Sequence, residues 1–186
     1  METTDNLLIE EIKKGSMKSF DSLMIKYQVQ VYRLAFGFAK DKESAMDITQ
    51  NVFIKVYEHL NKFQGKSQFK TWLTRIVFNE SQNWVKKNRK HYLNDDLEGV
   101  SMIDNNSPDQ EGEYLARENK AILLRSLYEL NTKHRLAVIL RYFENYSVKE
   151  IAATLNCSEG VVKNILFRSL KKLRSNLASL QIGEMQ

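Results

Sequence analysis

Apolar residues recur every three or four positions through the first half of the chain. Between Leu7 and Tyr92 the pattern includes Ile9, Ile12, Phe20, Leu23, Tyr27, Val31, Leu34, Ala35 and Phe38. An α-helix has about 3.6 residues per turn, so this spacing places the apolar side chains on one face of each helix. The first half therefore predicts consecutive amphipathic helices.

The pattern stops at residues 93–113, LNDDLEGVSMIDNNSPDQEGE, where Asp, Asn, Gly, Ser and the only proline collect. Such a composition is typical of a linker. Helical spacing resumes in YLARENKAILLRSLYEL and TKHRLAVILRYFEN, and a last helix should run through Leu173 to about Leu177. We expect two small helical domains, residues 1–93 and 115–186, joined by a flexible acidic linker at 94–114.

Composition supports an all-α class and a cytoplasmic location. One proline and seven glycines in 186 residues leave little for the tight turns of a β-sandwich. The single cysteine, Cys157, excludes an internal disulfide and a multi-cysteine zinc site, which fits a reducing compartment. The sequence shows neither an apolar run long enough to span a bilayer nor a signal peptide at its start.

Charge is divided unevenly along the chain. The net charge of +5 separates into +6 for residues 1–93, −7 for residues 94–119 and +6 for residues 120–186. Lys and Arg neutralise phosphates and supply most nonspecific affinity for nucleic acid. Two basic lobes with an acidic tether therefore suggest two contacts with a polyanion, although basic lobes also occur in many soluble proteins.

The segment from Ser147 to Leu173 has helix-turn-helix spacing. Ser147 and Glu150 form a capping box that starts the first helix. Asn156 falls where the turn needs a left-handed backbone, and Ser158 can cap the second helix. The sequence therefore predicts two short helices that cross at this turn.

The second helix of this motif should pack inward through Val162 with Ile165 or Leu166. Its outward residues are predicted to be Glu159, Lys163, Asn164, Phe167, Arg168 and Lys171. Such a face can enter the major groove of DNA, although a lone amphipathic helix more often has a merely solvated face. Cys157 needs no redox or metal role, because a small apolar residue suits the turn.

Residues 41–60, DKESAMDITQNVFIKVYEHL, predict a helix with two chemically different sides. One side carries Ile48, Val52 and Val56, and the other mostly Asp47, Gln50 and Asn51. Asp47, Gln50 and Phe53 could dock helices of a partner. From these residues alone, a wall of the helix bundle is the preferred interpretation.

The stretch FQGKSQFKTWLTRIVFNESQNWVKKNRK interleaves aromatic rings with cations. An unstacked base gains about 1–3 kcal/mol by stacking on an aromatic ring, so this pattern suits single-stranded DNA. Phe69 and Trp72 are each more often core residues at this spacing. Phe63, Asn79 and Asn83 are therefore the better candidates to face a base.

These segments together resemble the sigma-70 family of bacterial transcription initiation factors, in its short extracytoplasmic-function class. DITQNVFIKVY resembles the helix that grips the polymerase clamp, and FQGKSQFKTWLTRIVFN resembles the promoter-melting, minus-ten segment. LRYFENYSVKEIAATLNCSEGVVKNILFRSLKKLR is similar to the minus-thirty-five region. Residues 1–93 would then be the region 2 domain and residues 115–186 the region 4 domain.

The resemblance implies three sets of contact residues. Polymerase would be bound by Asp47, Gln50, Asn51 and Phe53. The minus-ten single strand would be bound by Phe63, Lys66, Trp72, Thr74, Arg75, Asn79, Asn83, Lys86, Lys87 and Arg89. The minus-thirty-five duplex would be bound by Ser158, Glu159, Lys163, Asn164, Phe167, Arg168 and Lys171.

The implied partners are core RNA polymerase through its β and β′ subunits, promoter DNA, and an anti-sigma factor that is often membrane-anchored. No cofactor, metal or small-molecule substrate is implied. The alternative is a helix-turn-helix regulator that binds duplex DNA without polymerase. An enzyme is the weakest reading, since His59, His91 and His134 are scattered and no nucleophile, base and orienting group converge in the sequence.

Overall fold

The computed structural model describes residues 4–39, 41–88 and 122–183. Its contacts divide into two compact units, one centred on the first four helices and the other on the last four. Every regular element within the described residues is helical, which confirms the all-α prediction. The proposed linker at 94–114 lies outside the described residues. No described helix has the length and apolar character needed to cross a membrane.

The described part of the N-terminal unit contains four α-helices. They are α1 (Asp5–Lys13), α2 (Met17–Ala39), α3 (Lys42–His59) and α4 (Phe69–Lys87), with a short 3₁₀ turn at Leu60–Lys62. Helices α2, α3 and α4 pack against one another, and α1 packs on α2. The residues with no exposed surface in this core are Val31, Ala35, Phe38, Ala45, Val52 and Val77.

The ends of these helices follow from local chemistry. The Asp41 carboxylate accepts a hydrogen bond from the Ser44 backbone N–H at 2.7 Å, which caps the start of α3. After α1, Gly15 has a φ of 96° and the Ser16 N–H donates to the Glu11 carbonyl at 3.0 Å. Glycine adopts this left-handed conformation without the steric cost of a Cβ, so the chain reverses there.

The C-terminal unit also contains four described helices. Helix α5 covers residues 122–128, followed by α6 (Thr132–Tyr142), α7 (Val148–Leu155) and α8 (Glu159–Gly183). The predicted end of the last helix near Leu177 was too early. No glycine or proline occurs between Leu177 and Gly183, so the sequence offers nothing to end the helix before that glycine.

A buried arginine joins α6 to the end of α5. Arg135 is 1% exposed, and its guanidinium donates to the carbonyls of Leu127 at 2.9 Å, Leu130 at 3.0 Å and Tyr128. The same group lies 4.8 Å from the centre of the Tyr128 ring. The last carbonyls of a helix lack the N–H partners of a following turn, and the guanidinium supplies donors to three of them. The Leu127 carbonyl also accepts a hydrogen bond from the Leu130 N–H at 3.1 Å.

The helix-turn-helix prediction is confirmed in detail. The Ser147 N–H donates to the Glu150 carboxylate at 2.8 Å, and the Glu150 N–H donates to the Ser147 hydroxyl at 3.2 Å. Asn156 has a φ of 51°, as the turn requires. The Cys157 N–H then donates to the Ala152 carbonyl at 3.0 Å, which closes the end of α7.

The left-handed backbone at Asn156 gives a prediction for stability. Asn156→Val should lower the free energy of unfolding by roughly 1–2 kcal/mol, because a β-branched side chain clashes in this conformation. Asn156→Gly should be close to neutral, since glycine adopts it freely. Thermal unfolding of the full chain, followed by circular dichroism, measures both changes.

The matched control is Asn164→Val, which makes the same change at an exposed helical position without positive φ. It should cost only a few tenths of a kcal/mol. Equal stability of Asn156→Val and the unchanged chain would contradict the argument.

Candidate nucleic-acid and partner-binding surfaces

Helix α8 presents one apolar and one polar side. The Ser158 hydroxyl accepts a hydrogen bond from the Val161 N–H at 3.4 Å and caps the helix, as predicted. Val162, Ile165 and Leu166 are all buried, so both residues offered for the inner contact contribute to the core. This packing fixes which side of α8 faces outward.

All six residues predicted on the outer side of α8 are exposed. Phe167 is 69% exposed, the largest value among the exposed large hydrophobic residues of the described chain. The exposed residues of this side are Glu159, Lys163, Asn164, Phe167, Arg168 and Lys171. An exposed phenylalanine among cations and an amide is suited to contact base edges and phosphates together.

His134 fixes the rotation of α8 from the neighbouring helix α6. Its Nδ1 lies 3.0 Å from the Ser169 hydroxyl, which donates its own proton to the Ile165 carbonyl at 2.7 Å. The Ser169 oxygen therefore accepts, and His134 Nδ1 carries the hydrogen. Burial, and then the charges of Arg168 and Lys133, lower the pKa of His134. The ring is thus neutral near pH 7, which suits this contact beside two cations.

Helix α4 also has an outward strip. Asn79, Asn83 and Lys86 are exposed and follow Trp72 at positions seven, eleven and fourteen residues later, on one face of the helix. Lys87 is exposed beside this strip. The strip runs for about 21 Å at 1.5 Å per residue. The structure therefore places both predicted amides of α4 in one line with Lys86.

Phe63 does not lie on this strip. Its ring is only 6% exposed and packs 5.2 Å from Trp72 and 5.9 Å from Phe69, between ring centres. This position argues against the expectation that Phe63 faces a base, because a ring held inside the core has no free face to stack on. Phe69 is buried as well, and Trp72 is half-buried.

The other residues predicted to bind the single strand differ in how exposed they are. Thr74 is 1% exposed and donates its hydroxyl proton to the Lys70 carbonyl at 2.8 Å, so it supports α4 from within. Lys66 is exposed and Arg75 is half-buried. Arg89 lies outside the described residues.

A cleft of about 430 Å³ lies between the start of α1 and the loop that precedes α4. The residues lining it are Thr4, Asp5, Asn6, Tyr27, Gly65, Ser67, Gln68, Phe69 and Lys70. None of the residues expected to form a base pocket lines this cleft. The sequence did not predict it because α1 and the loop are about 60 positions apart and meet only through tertiary packing.

The wall of the cleft is organised around Asp5. Its carboxylate accepts hydrogen bonds from Lys26 Nζ at 2.8 Å and from the Tyr27 hydroxyl at 2.5 Å. The Tyr27 ring packs edge-on against Phe69, with 5.3 Å between the ring centres. The Asp5 carboxylate is therefore held in place by two hydrogen bonds, beside the buried rings of Tyr27 and Phe69.

Helix α3 has its predicted polar side. Asp47, Gln50 and Asn51 are exposed, while Ile48, Val52 and Val56 are 1% exposed or less. Helix α3 is therefore a wall of the helix bundle, as the sequence alone indicated. Its polar side remains exposed. Phe53 is only 8% exposed. Its burial argues against a direct contact with a partner, because the ring belongs to the core.

Three large apolar residues on α3 are exposed instead. Met46 is 63%, Tyr57 54% and Ile54 49% exposed, and Asp47 and Gln50 lie between Met46 and Ile54 along the helix. Exposed apolar side chains among polar ones are typical of protein interaction surfaces. Their spacing of eight and three residues places them on the same side, a signal that was present in the sequence.

Comparison with protein families matches both units. Residues 23–91 match sigma-70 region 2, and residues 126–175 match sigma-70 region 4. The chain is 29% identical over 184 residues to the extracytoplasmic-function RNA polymerase sigma-E factor of Escherichia coli K12, covering 95% of this chain and 96% of that protein. It is 31% identical over 185 residues to the RNA polymerase sigma-H factor of Pseudomonas aeruginosa, covering 95% of each.

Solved structures share the fold. The structure of CnrH in complex with the cytosolic domain of CnrY superposes with a TM-score of 0.70 at 21% identity over 94% of this chain and 97% of that chain. The sigma factor RpoE of Bartonella quintana, in complex with the anti-sigma factor NepR, gives 0.67 at 21% identity over 87% and 98%. With both regions matched in order, and with sigma-factor relatives aligned over 95% of its length, this chain belongs to the sigma-70 family and is an RNA polymerase sigma factor of the extracytoplasmic-function class.

Proposed function

We propose that this sigma factor binds core RNA polymerase through the outer side of α3. The supporting observation is that Asp47 and Gln50 are exposed next to the apolar residues Met46, Ile54 and Tyr57. Apolar contacts would supply affinity, and the carboxylate and amide would fix orientation. The β and β′ subunits are the proposed partners, as the family resemblance implies.

The N-terminal unit would hold the opened minus-ten strand. Asn79, Asn83 and Lys86 form an exposed strip on α4, and the 430 Å³ cleft beside the preceding loop falls in the usual range of ligand clefts, about 300–1,000 Å³. Turning a base out of the duplex costs a few kcal/mol, which hydrogen bonds from the base edge to Asn6, Ser67 and Gln68 in the cleft lining would offset. The proposal assigns the extruded base to this cleft.

The C-terminal unit would bind the upstream duplex through α8. The observation that carries the whole proposal is the exposed outer side of this helix, set on a helix-turn-helix whose cap, turn and inner packing are all formed. Binding of the two units to two promoter elements would place the polymerase at a start site. The polymerase itself would make the RNA.

We also propose an anti-sigma factor as a second protein partner. Of the two similar solved structures, one is the sigma factor RpoE in complex with the anti-sigma factor NepR, and the other is CnrH in complex with the cytosolic domain of CnrY. An anti-sigma factor that covered the outer side of α3 would block polymerase. The proposed site of action is the cytoplasm, where polymerase and DNA are present.

The proposal predicts polymerase-dependent promoter use. Core RNA polymerase with the purified chain should produce transcripts from specific start sites on genomic DNA, whereas core alone should produce none of them. Sequencing of the transcript 5′ ends measures this difference. Equal products in both reactions would contradict the proposal. Tight, sequence-specific binding of duplex DNA by the chain alone would favour a stand-alone regulator.

A further inference from the structure

Gly160 lies in the first turn of α8, where the fold gives no reason for glycine. Its φ is not in the left-handed region, and an added Cβ would meet only the Ser158 hydroxyl oxygen, at an ordinary distance of 3.9 Å. Glycine lowers helix stability relative to alanine because it loses more backbone freedom on folding. The side facing away from the protein is therefore left bare at a cost to the helix.

The bare position continues into a strip of uncharged residues. Asn164 and Phe167 follow Gly160 by four and seven residues, so all three lie on one side of α8, and all three are exposed. An exposed phenylalanine at 69% is an unfavourable contact with water in the free chain. The strip therefore consists of a position without a side chain, an amide and an apolar ring, in that order along the helix.

Two cations border this strip on opposite sides. Lys163 precedes Asn164 by one residue and Arg168 follows Phe167 by one residue, so each is turned about 100° from its neighbour in opposite directions. A helix lying in the major groove, which is about 12 Å wide, directs its central residues to base edges and its flanking residues to the phosphates.

We propose that Gly160, Asn164 and Phe167 form the base-reading strip of this sigma factor. Asn164 pairs with the N6 and N7 edge of an adenine, and Phe167 contacts the C5-methyl group of a thymine. Gly160 allows the start of α8 to approach the DNA closely. Lys163 and Arg168 hold phosphates without selecting sequence. The inference rests on the proposed function of α8 and specifies what that helix recognises.

The test begins with the full chain bound to core polymerase and a template library whose upstream element is randomised. The selected element should contain an adenine and a thymine that are each preferred by the unchanged chain. Asn164→Ala should relax the preference for the adenine alone, and Phe167→Ala the preference for the thymine alone. Lys163→Ala should weaken use of all templates evenly and reduce the salt dependence.

Base analogues then isolate the two contacts. Uracil in place of the selected thymine removes only the methyl group, and 7-deazaadenine in place of the adenine removes only the N7 acceptor. Each analogue should reduce template use by the unchanged holoenzyme by about fivefold or more. Uracil should have no further effect on Phe167→Ala, nor 7-deazaadenine on Asn164→Ala. The control variant Ser175→Ala, exposed further along α8, should behave like the unchanged chain.

Gly160→Ala should affect stability and promoter use in opposite directions. Its melting temperature should be unchanged or higher, while its use of the selected element should fall by about tenfold. Full activity of Gly160→Ala, or indifference of the unchanged holoenzyme to both analogues, would overturn the inference and leave the proposed function intact. A holoenzyme that selects no upstream element would overturn both.

Discussion

Replacing Arg135 with methionine should lower the free energy of unfolding of the C-terminal unit by roughly 2–4 kcal/mol. Methionine keeps much of the side-chain length but donates no hydrogen bond. The carbonyls of Leu127, Tyr128 and Leu130 would lose the guanidinium donors that they have now. The variant therefore loses several hydrogen bonds from a charged donor at one buried junction, so the junction of α5 and α6 should open first.

The chain provides its own internal reference for this measurement. Both tryptophans, Trp72 and Trp84, belong to α4 of the N-terminal unit, whereas circular dichroism reports the helices of both units. In urea, Arg135→Met should shift part of the circular dichroism change to lower concentration and leave the tryptophan fluorescence midpoint unchanged. Lys133→Met, at an exposed position of the same helix, is the control. A Lys133→Met effect as large as that of Arg135→Met would show that the buried contacts do not matter.

Joint replacement of Asp47 and Gln50 by alanine should weaken binding to core RNA polymerase by about 30-fold or more. A few central residues of a protein interface each cost about 2 kcal/mol or more when truncated, and one such residue corresponds to about 30-fold in affinity. These two side chains lie in the middle of the exposed side of α3, so at least one of them should be such a residue. Because both are exposed, the double variant should unfold at the same urea concentration as the unchanged chain.

Competition between the variant and the unchanged, labelled chain for a limiting amount of core polymerase measures the affinity. Promoter-specific transcripts should fall in parallel at low sigma concentration and recover when the variant is added in excess. Glu10→Gln removes an exposed carboxylate from α1 and should have no effect. Unchanged competition by the double variant would remove α3 from the polymerase interface.

The sequence predicted the elements that depend on local patterns. The three-and-four spacing identified the buried sides of α2 and α3, including Val31, Phe38, Ile48 and Val52. Hydrophobic periodicity is reliable here because each helix must bury one side against its neighbours. The end of α8 was misplaced, since a helix end without a strong stop signal depends on the balance of weak terms.

The turn of the helix-turn-helix was equally open to prediction. Its capping box is formed by hydrogen bonds between Ser147 and Glu150, which are three positions apart. The left-handed conformation of Asn156 depends on that residue's own side chain, so both features follow from local sequence. The outer residues of α8 follow from the same phase, because once Val162 is buried the opposite side must face out. Local rules were therefore sufficient to predict which side of α8 is exposed.

What the sequence by itself determined is therefore the set of helices, the side that each one buries, and the chemistry of α3, α4 and α8. Tertiary structure alone decided that Phe63 and Phe53 are core residues, that Arg135 is buried among carbonyls, and that α1 and a distant loop enclose a cleft around Asp5. The physical reason is the sequence distance over which each interaction acts. Helix phase is set by neighbours within a turn or two, whereas burial of one ring or cation depends on which distant segment packs over it.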